Sequence, residues 1–176
     1  GIYYNLDNTK KTAKVTYKGI SEVSEEEYSG SVVIPSSITY NSEIYSVTSI
    51  GEDAFSYCKS LTSVTIPNSV TSIGLGAFSF CSSLTSITIP NGVAEMCKEA
   101  FNYCIKLTSV TIPSSVTYIG TDVFSHCSSL TSIVWNAKNC KVVLGSYSSD
   151  GAFYDVRSQI TSFTFGNEVE RIQSYL

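Results

Sequence analysis

Apolar side chains recur in this chain within one short phrase. Around Leu61, Val64 and Ile66, around Leu84, Ile87 and Ile89, and around Leu107, Val110 and Ile112 the order is L-x-x-[VI]-x-I, with serine or threonine between. Alternation with period two over the last three apolar positions predicts a short strand with Ser63 and Thr65 turned outward. A proline follows, as Pro67 does Ile66, and ends the strand because a residue without an N–H cannot continue a ladder. A second extended piece is predicted over Val70 to Ile73, with equivalents at Val116 to Ile119 and Val169 to Ile172. Gly51, Gly74 and Gly120 then read as turn residues, and the A-F-x-x-C stretch as one helical turn with Phe and Cys facing inward.

The phrase is periodic. Phe55, Phe78, Phe101, Phe124 and Phe153 are separated by 23, 23, 23 and 29 residues, and Cys58, Cys81, Cys104 and Cys127 by 23 each time. Each unit presents an apolar edge it cannot bury alone, so neighbours must stack, at about 4.8 Å per coil, into one continuous core. The expected fold is an α/β repeat solenoid with parallel sheets of short strands and one short helical turn per repeat. Its solenoid part spans residues 48–176 as about five 23-residue coils, the last interrupted over Gly145 to Gly151. Residues 1–47 are expected to form an N-terminal β cap. It comprises a hairpin of Ile2 to Leu6 and Thr12 to Tyr17 around Asp7, Asn8 and Thr9, a strand Ser31 to Ile34, and a hairpin Ile38 to Val47 around Asn41-Ser42. Glu168, Glu170 and Arg171 restore charge at the other end, as a cap would, although a truncated chain explains the stop inside the V-x-x-I phrase equally well.

The unit V-T-S-I-G-x-x-A-F-x-x-C-x-S-L-T-S-V-T-I-P resembles the BspA-like branch of bacterial leucine-rich-repeat proteins over roughly residues 31 to 176, in four in-register copies. The asparagine ladder of the ordinary leucine-rich repeat is absent, with proline and serine in its place. The resemblance implies a right-handed leucine-rich-repeat coil and a secreted or outer-surface bacterial protein. Better-known members of that branch adhere to host matrix proteins or other cells.

Composition narrows the partners. Hydrophobic residues make up 43% of the 176 and charged residues only 15%, with a formal net charge of -4. The first figure supplies a core, and the last argues against nucleic acid, whose polyanion requires a basic stripe. No apolar run approaches the roughly 20 residues of a spanning helix. No P-loop, dinucleotide fingerprint or nucleophile elbow appears, and no cofactor or metal is expected.

Four constellations bear on chemistry. The cysteine file points its thiols in parallel, whereas zinc needs ligands converging tetrahedrally, so the thiols read as small buried hydrophobes. Cys97, in place of a turn glycine, and Cys140 lie nearly two coils apart, too far to bridge. His126 adjoins Cys127 but stands in the file of Tyr57, Phe80 and Tyr103. It reads as the polar end of an aromatic stripe, which either stacks on sugar rings or grips a partner, or simply covers the edge of the solenoid. Glu99 and Asp122, in file with Asp53, come from successive coils at a spacing of about 5 Å, the separation a retaining glycosidase uses, yet an acid at a turn start also serves as a cap. The acidic run Glu22 to Glu27 lacks the ligand alternation of a calcium loop and reads as a solvated segment.

The outward strand files are the most informative surface. Ser63, Ser86, Ser109, Ser132 and Ser162 form one and Thr65, Thr88, Thr111, Val134 and Thr164 the other, without a charge among the ten. Such a face suits an extended protein or glycan held by many weak contacts, or merely keeps a parallel sheet soluble. The expectation is a non-catalytic binding scaffold that recognises a host or cell-surface protein or glycan. The alternatives are a passive display or spacer domain that self-associates through its C-terminal coil, and a glycan-active enzyme built on Glu99 and Asp122.

Overall fold

A computed structural model describes residues 1–17, 28–142, 151–167 and 169. The acidic run Glu22 to Glu27, residues 145–150 of the insertion, Glu168, Glu170 and Arg171, and the predicted extended piece Val169 to Ile172 beyond its first residue lie outside the described residues.

The strand phrase folds as its alternation predicts. It gives β6 (Leu61–Thr65), β8 (Ser86–Thr88), β10 (Ser109–Ile112), β12 (Ser132–Trp135) and β14 (Ser162–Phe165), preceded in the same column by β3 (Gly30–Val33). The second extended piece gives the two-residue strands β7 (Ser72–Ile73), β9 (Glu95–Met96), β11 (Tyr118–Ile119) and β13 (Lys141–Val142). β1 (Tyr3–Asp7) and β2 (Thr12–Thr16) pair as an antiparallel hairpin. β4 (Ser37–Tyr40) and β5 (Glu43–Ile50) pair as another, around Asn41 and Ser42 at φ of 50° and 64°. Two successive left-handed residues are what a tight two-residue hairpin loop requires.

Three sheets result. One has eight strands in the order β1-β2-β5-β7-β9-β11-β13, with β4 beside β5; β2 joins β5 in parallel, so the N-terminal hairpin shares the sheet of the second strand column. The first column is two three-stranded parallel sheets, β3-β6-β8 and β10-β12-β14. Successive strands are in register at 23-residue spacing, Val64 opposite Ile87 and Val110 opposite Ile133.

Between the sheets lies one core of stacked files. Phe55, Phe78, Phe101 and Phe124 are fully buried, and their rings stack at 5.0, 5.2 and 5.5 Å with interplanar angles of 2° to 4°. The four period-spaced cysteines are also buried, and three of them do more than fill space. The Sγ atoms of Cys81, Cys104 and Cys127 donate to the carbonyls of Phe55, Phe78 and Phe101 at 3.1 to 3.2 Å. Each of these carbonyls already accepts the cysteine N–H of its own turn at 3.2 to 3.3 Å, so the thiol of the next coil adds a second donor and ties the two coils together. At the coil corners hydroxyls also link coils: Ser69 and Ser115 donate to the carbonyls of Val47 and Val93, both at 2.6 Å.

The expected helical turn in each repeat is not what forms. A-F-x-x-C folds as consecutive turns, and among the described residues the only helical segment is a single 3-10 turn, Tyr154–Val156. The cause is visible in the backbone. Asp53 and Tyr57 have φ of 50° and 59°, and the equivalent Glu99 and Tyr103 have 59° and 56°, so a helix is interrupted on both sides of the Phe. Amide direction then alternates. Ala54, Ser56 and Cys58 close turns onto Gly51, Asp53 and Phe55, whereas Asp53, Phe55 and Tyr57 donate to Leu75, Ala77 and Ser79 of the next coil at 2.8 to 2.9 Å. The corner is therefore a third inter-coil ladder. The turn glycines also serve differently from expectation. Left-handed φ falls two residues further on, and Gly74 is needed because a Cβ there would stand 2.7 Å from the backbone of Gly51 and Glu52.

Candidate functional site

In-register stacking brings the predicted strand-face residues together, outside the core. Ser86 pairs with Ser63 and Thr88 with Thr65; Ser109 pairs with Ser132, Thr111 with Val134, Ser132 with Ser162 and Val134 with Thr164. Ser86, Thr88, Ser109 and Thr111 are exposed, and Ser132 and Val134 half-buried. The files reach one rung further than the repeat alone indicates, through Ser31 and Val33 of β3. There Ser63 donates its hydroxyl to Ser31 at 2.9 Å. The face is not one unbroken sheet, because β8 and β10 belong to different sheets. Thr85 and Thr131 each donate their N–H to the preceding coil, to Thr62 and Thr108. A seam thus runs between the Ser86/Thr88 rung and the Ser109/Thr111 rung. The residues on either side carry the same phrase, and nothing in their identities explains it.

The aromatic stripe is a surface stack. Tyr57, Phe80 and Tyr103 lie with ring centroids 4.5 Å apart, and His126 follows Tyr103 at 4.1 Å. Beyond it, His126 Nε2 is 3.5 Å from Asp155 Oδ2. All four ring-bearing residues have φ between 56° and 59°, a conformation that costs about 1–2 kcal/mol for a residue other than glycine. Stacking and the corner ladder offset that cost. The ring faces cover one another along the stack, which leaves edges and hydroxyls outward.

The two carboxylates have local partners. Glu99 Oε1 is 3.1 Å from Lys98 Nζ, and Asp122 Oδ1 accepts the Ser125 hydroxyl at 3.1 Å across its own turn. Asp122 thus bonds within the turn it begins. Among the described residues no group of three His, Cys, Asp or Glu side chains is arranged to hold a metal, and no helix is long and apolar enough to cross a membrane.

Burial holds the proton on several of the thiols. Burial raises Cys81 and Cys104 well above the ordinary thiol range and pushes Cys140 up to about 12. Cys97 is raised by burial and then by the carboxylates of Glu95 and Glu52. A Cys127–His126 nucleophile is disfavoured by geometry, since Cys127 is buried with its Sγ donating to the Phe101 carbonyl, while the imidazole lies outside beside Asp155.

Two features of the surface escape a reading of the phrase alone. Asn102 occupies the file of the buried Ser56, Ser79 and Ser125, and its Oδ1 is buried without a hydrogen-bond partner. Phe163 and Phe165 hold inward register positions opposite Ile133 and Trp135, yet are 37% and 39% exposed. The available signal was the replacement of valine and isoleucine by phenylalanine in the last strand phrase.

Comparison with known proteins agrees with this geometry. Residues 48–176 match the family described as BspA type leucine rich repeat region, in six copies. Among curated proteins no match is found. Of solved structures, a leucine-rich cell surface protein of Faecalibacterium prausnitzii is 31% identical, with 96% of this chain and 42% of that one covered and a TM-score of 0.70. The leucine-rich repeat protein of T. pallidum is 31% identical, with 80% and 60% covered and a TM-score of 0.65. One from Bacteroides ovatus is 26% identical, with 93% and 39% covered and a TM-score of 0.66. The chain thus spans between about two fifths and three fifths of the length of these relatives.

Proposed function

Because the chain belongs to the BspA-type leucine-rich-repeat family, we propose that it is a non-catalytic binding module at a bacterial cell surface. Its outward strand files recognise an extended protein or glycan. The observation that carries this reading is the exposed, uncharged array in which Ser86 and Thr88 pair in register with Ser63 and Thr65, and Ser109 and Thr111 with Ser132 and Val134, on either side of the seam. Each short hydroxyl offers a donor and acceptors close to a rigid backbone. A broad face without a cleft suits many shallow contacts better than chemistry on one bond. The similarity to a leucine-rich cell surface protein of Faecalibacterium prausnitzii supports the outer location. The hairpin β1–β2, paired to β5, serves in this reading as the N-terminal cap of the eight-stranded sheet.

The aromatic stripe is a subsidiary contact, through ring edges and the Tyr57 and Tyr103 hydroxyls rather than ring faces. A glycosidase built on Glu99 and Asp122 gains no support, since each carboxylate is engaged by its own segment. A passive spacer remains the competing reading. The test is a screen of the purified chain against arrayed host matrix proteins and glycans, repeated with Thr88→Lys and Thr111→Glu. Binding that both variants weaken supports the strand face, and the absence of any bound partner on the arrays favours the spacer.

A further inference from the structure

Asparagine stands directly before glycine once in the chain, at Asn91-Gly92. The pair occupies the corner between β8 and β9, where the Val93 N–H closes a turn onto the Pro90 carbonyl at 3.1 Å. Asn91 is exposed and Gly92 half-buried. The Gly92 N–H, inside that turn, donates to no group among the described residues. An unbonded amide next to an exposed carboxamide is the pair of groups from which a cyclic imide forms.

The repeat supplies its own comparison. Asn68-Ser69 and Ser114-Ser115 take the same corner one coil before and one coil after, in turns closed by Val70 onto Pro67 and by Val116 onto Pro113 at 3.1 and 3.2 Å. Ser69 and Ser115 are pinned, each donating its hydroxyl to a carbonyl of the preceding coil at 2.6 Å. Gly92 has no side chain to pin, and a Cβ there would run into the carbonyl of Asn68. Its backbone is therefore the least hindered and the freest to rotate of the three.

We propose that Asn91-Gly92 is a site of spontaneous deamidation, which converts this corner into aspartate or isoaspartate without an enzyme. The Gly92 nitrogen gives its proton to solvent base and attacks Cγ of Asn91. The N–Cγ bond forms, the Cγ–Nδ2 bond breaks, and Nδ2 leaves as ammonia. The five-membered imide then takes up one water molecule. Opening at Cγ gives aspartate, and opening at the backbone carbonyl gives isoaspartate, whose main chain runs through Cβ. Either product adds a negative charge to a chain of formal net charge -4, and isoaspartate also lengthens the corner by one carbon. The change falls where the coil is tied least. The corner lacks the serine hydroxyl bond, and β8, which leads into it, borders the seam to β10. Ala94 and Cys97, which follow, donate to Thr71 and Ile73 at 2.8 and 2.9 Å, and these are the bonds that the longer corner disturbs first.

The full folded chain, held in mildly alkaline buffer at body temperature and then mapped with chymotrypsin, tests this, since cleavage at Phe78 and Phe80 separates Asn68 from Asn91. The peptide carrying Asn91 is expected to gain a single dalton and to accept methyl groups from an isoaspartyl methyltransferase. Both signals should rise about ten-fold or more faster than at Asn68, which is exposed in the same turn but followed by serine. Asn91→Ser, matching Ser114 in its file, is expected to abolish them. Amide exchange at Ala94 and Cys97 should quicken in the isoaspartate form. A folded chain that keeps Asn91 intact while the urea-unfolded chain loses it would overturn the proposal, because the fold would then protect the corner. Equal rates at Asn68 and Asn91 would overturn it as well, since glycine would not be what decides. Unchanged exchange at both amides would refute the loosening of the inter-coil bonds.

Discussion

Replacement of Phe101 by alanine probes the stacked interior at its centre. The ring is fully buried between those of Phe78 and Phe124, 5.2 and 5.5 Å away and nearly parallel to both. Truncation of a buried phenylalanine costs about 3–5 kcal/mol, part transfer and part residual cavity. The cavity share should be large here because the walls cannot close. Phe78 N–H is bonded to Ala100 O at 2.8 Å and Phe101 N–H to Val123 O at 2.9 Å, so the corner ladder fixes the coil spacing. The upper half of that range is expected. For a chain of this length each kcal/mol lowers the melting temperature by about 2–4 °C, which gives a fall of about 12 °C. Calorimetry together with urea unfolding measures it, and a reduced urea slope would further report that the coils on either side of the cavity had uncoupled. The exposed Thr111→Glu, in the same coil, should change stability by no more than about 0.5 kcal/mol. A loss below about 1 kcal/mol for Phe101→Ala, or an equal loss for Thr111→Glu, would refute the assignment of these two files to inside and outside.

Other consequences can be measured on the same protein. Thr88→Lys should weaken whatever partner the arrays identify by at least about ten-fold while leaving the melting temperature within a degree or two of wild type. Asn102→Ser, which matches the buried Ser56, Ser79 and Ser125 and removes the unpartnered Oδ1, should stabilise by about 1 kcal/mol, and a destabilisation of that size would contradict it. An aromatic disulfide reagent at neutral pH should label the half-buried Cys97 first and leave Cys81 and Cys104 unreacted until the chain unfolds. With its thiol pushed up to about 12, Cys140 keeps its proton in the folded chain where an unfolded thiol has lost it. The stability it contributes is therefore present below about pH 8.5 and is lost as pH rises towards 12, at about 1.4 kcal/mol per pH unit. Urea titrations from pH 8 to 10.5 should show Cys140→Ala flattening that slope.

What the chain discloses about itself follows from repetition. Every inward and outward file is read from several copies at once, so Phe55 to Phe124, Cys58 to Cys127 and Ser63 to Ser162 could be assigned from spacing alone. The hairpin at Asn41-Ser42 was legible for a different reason, since both residues tolerate the left-handed backbone. The helical turn was misjudged because A-F-x-x-C has the apolar spacing of one, and nothing in Tyr57 or Asp53 advertises a positive φ. That conformation is imposed by contacts between coils, the ladder of amides and the ring stack, which no single repeat contains. The seam between β8 and β10 is silent in sequence for a similar reason, because both strands carry the same phrase. The partial exposure of Phe163 and Phe165 likewise depends on what packs beside a residue rather than on which residue it is.

Distance between spin labels on one outward file tests the stacking itself. With Cys97→Ser to silence the half-buried thiol, labels at Ser63→Cys and Ser162→Cys stand four rungs apart through β8, β10 and β12, and coils at about 4.8 Å separate their backbones by about 19 Å. A single narrow distribution near 20 Å, widened only by the label tethers, is the predicted result. A broad distribution, or one centred beyond about 30 Å, would mean that the 23-residue units do not superimpose, and the binding face assembled from them would go with it.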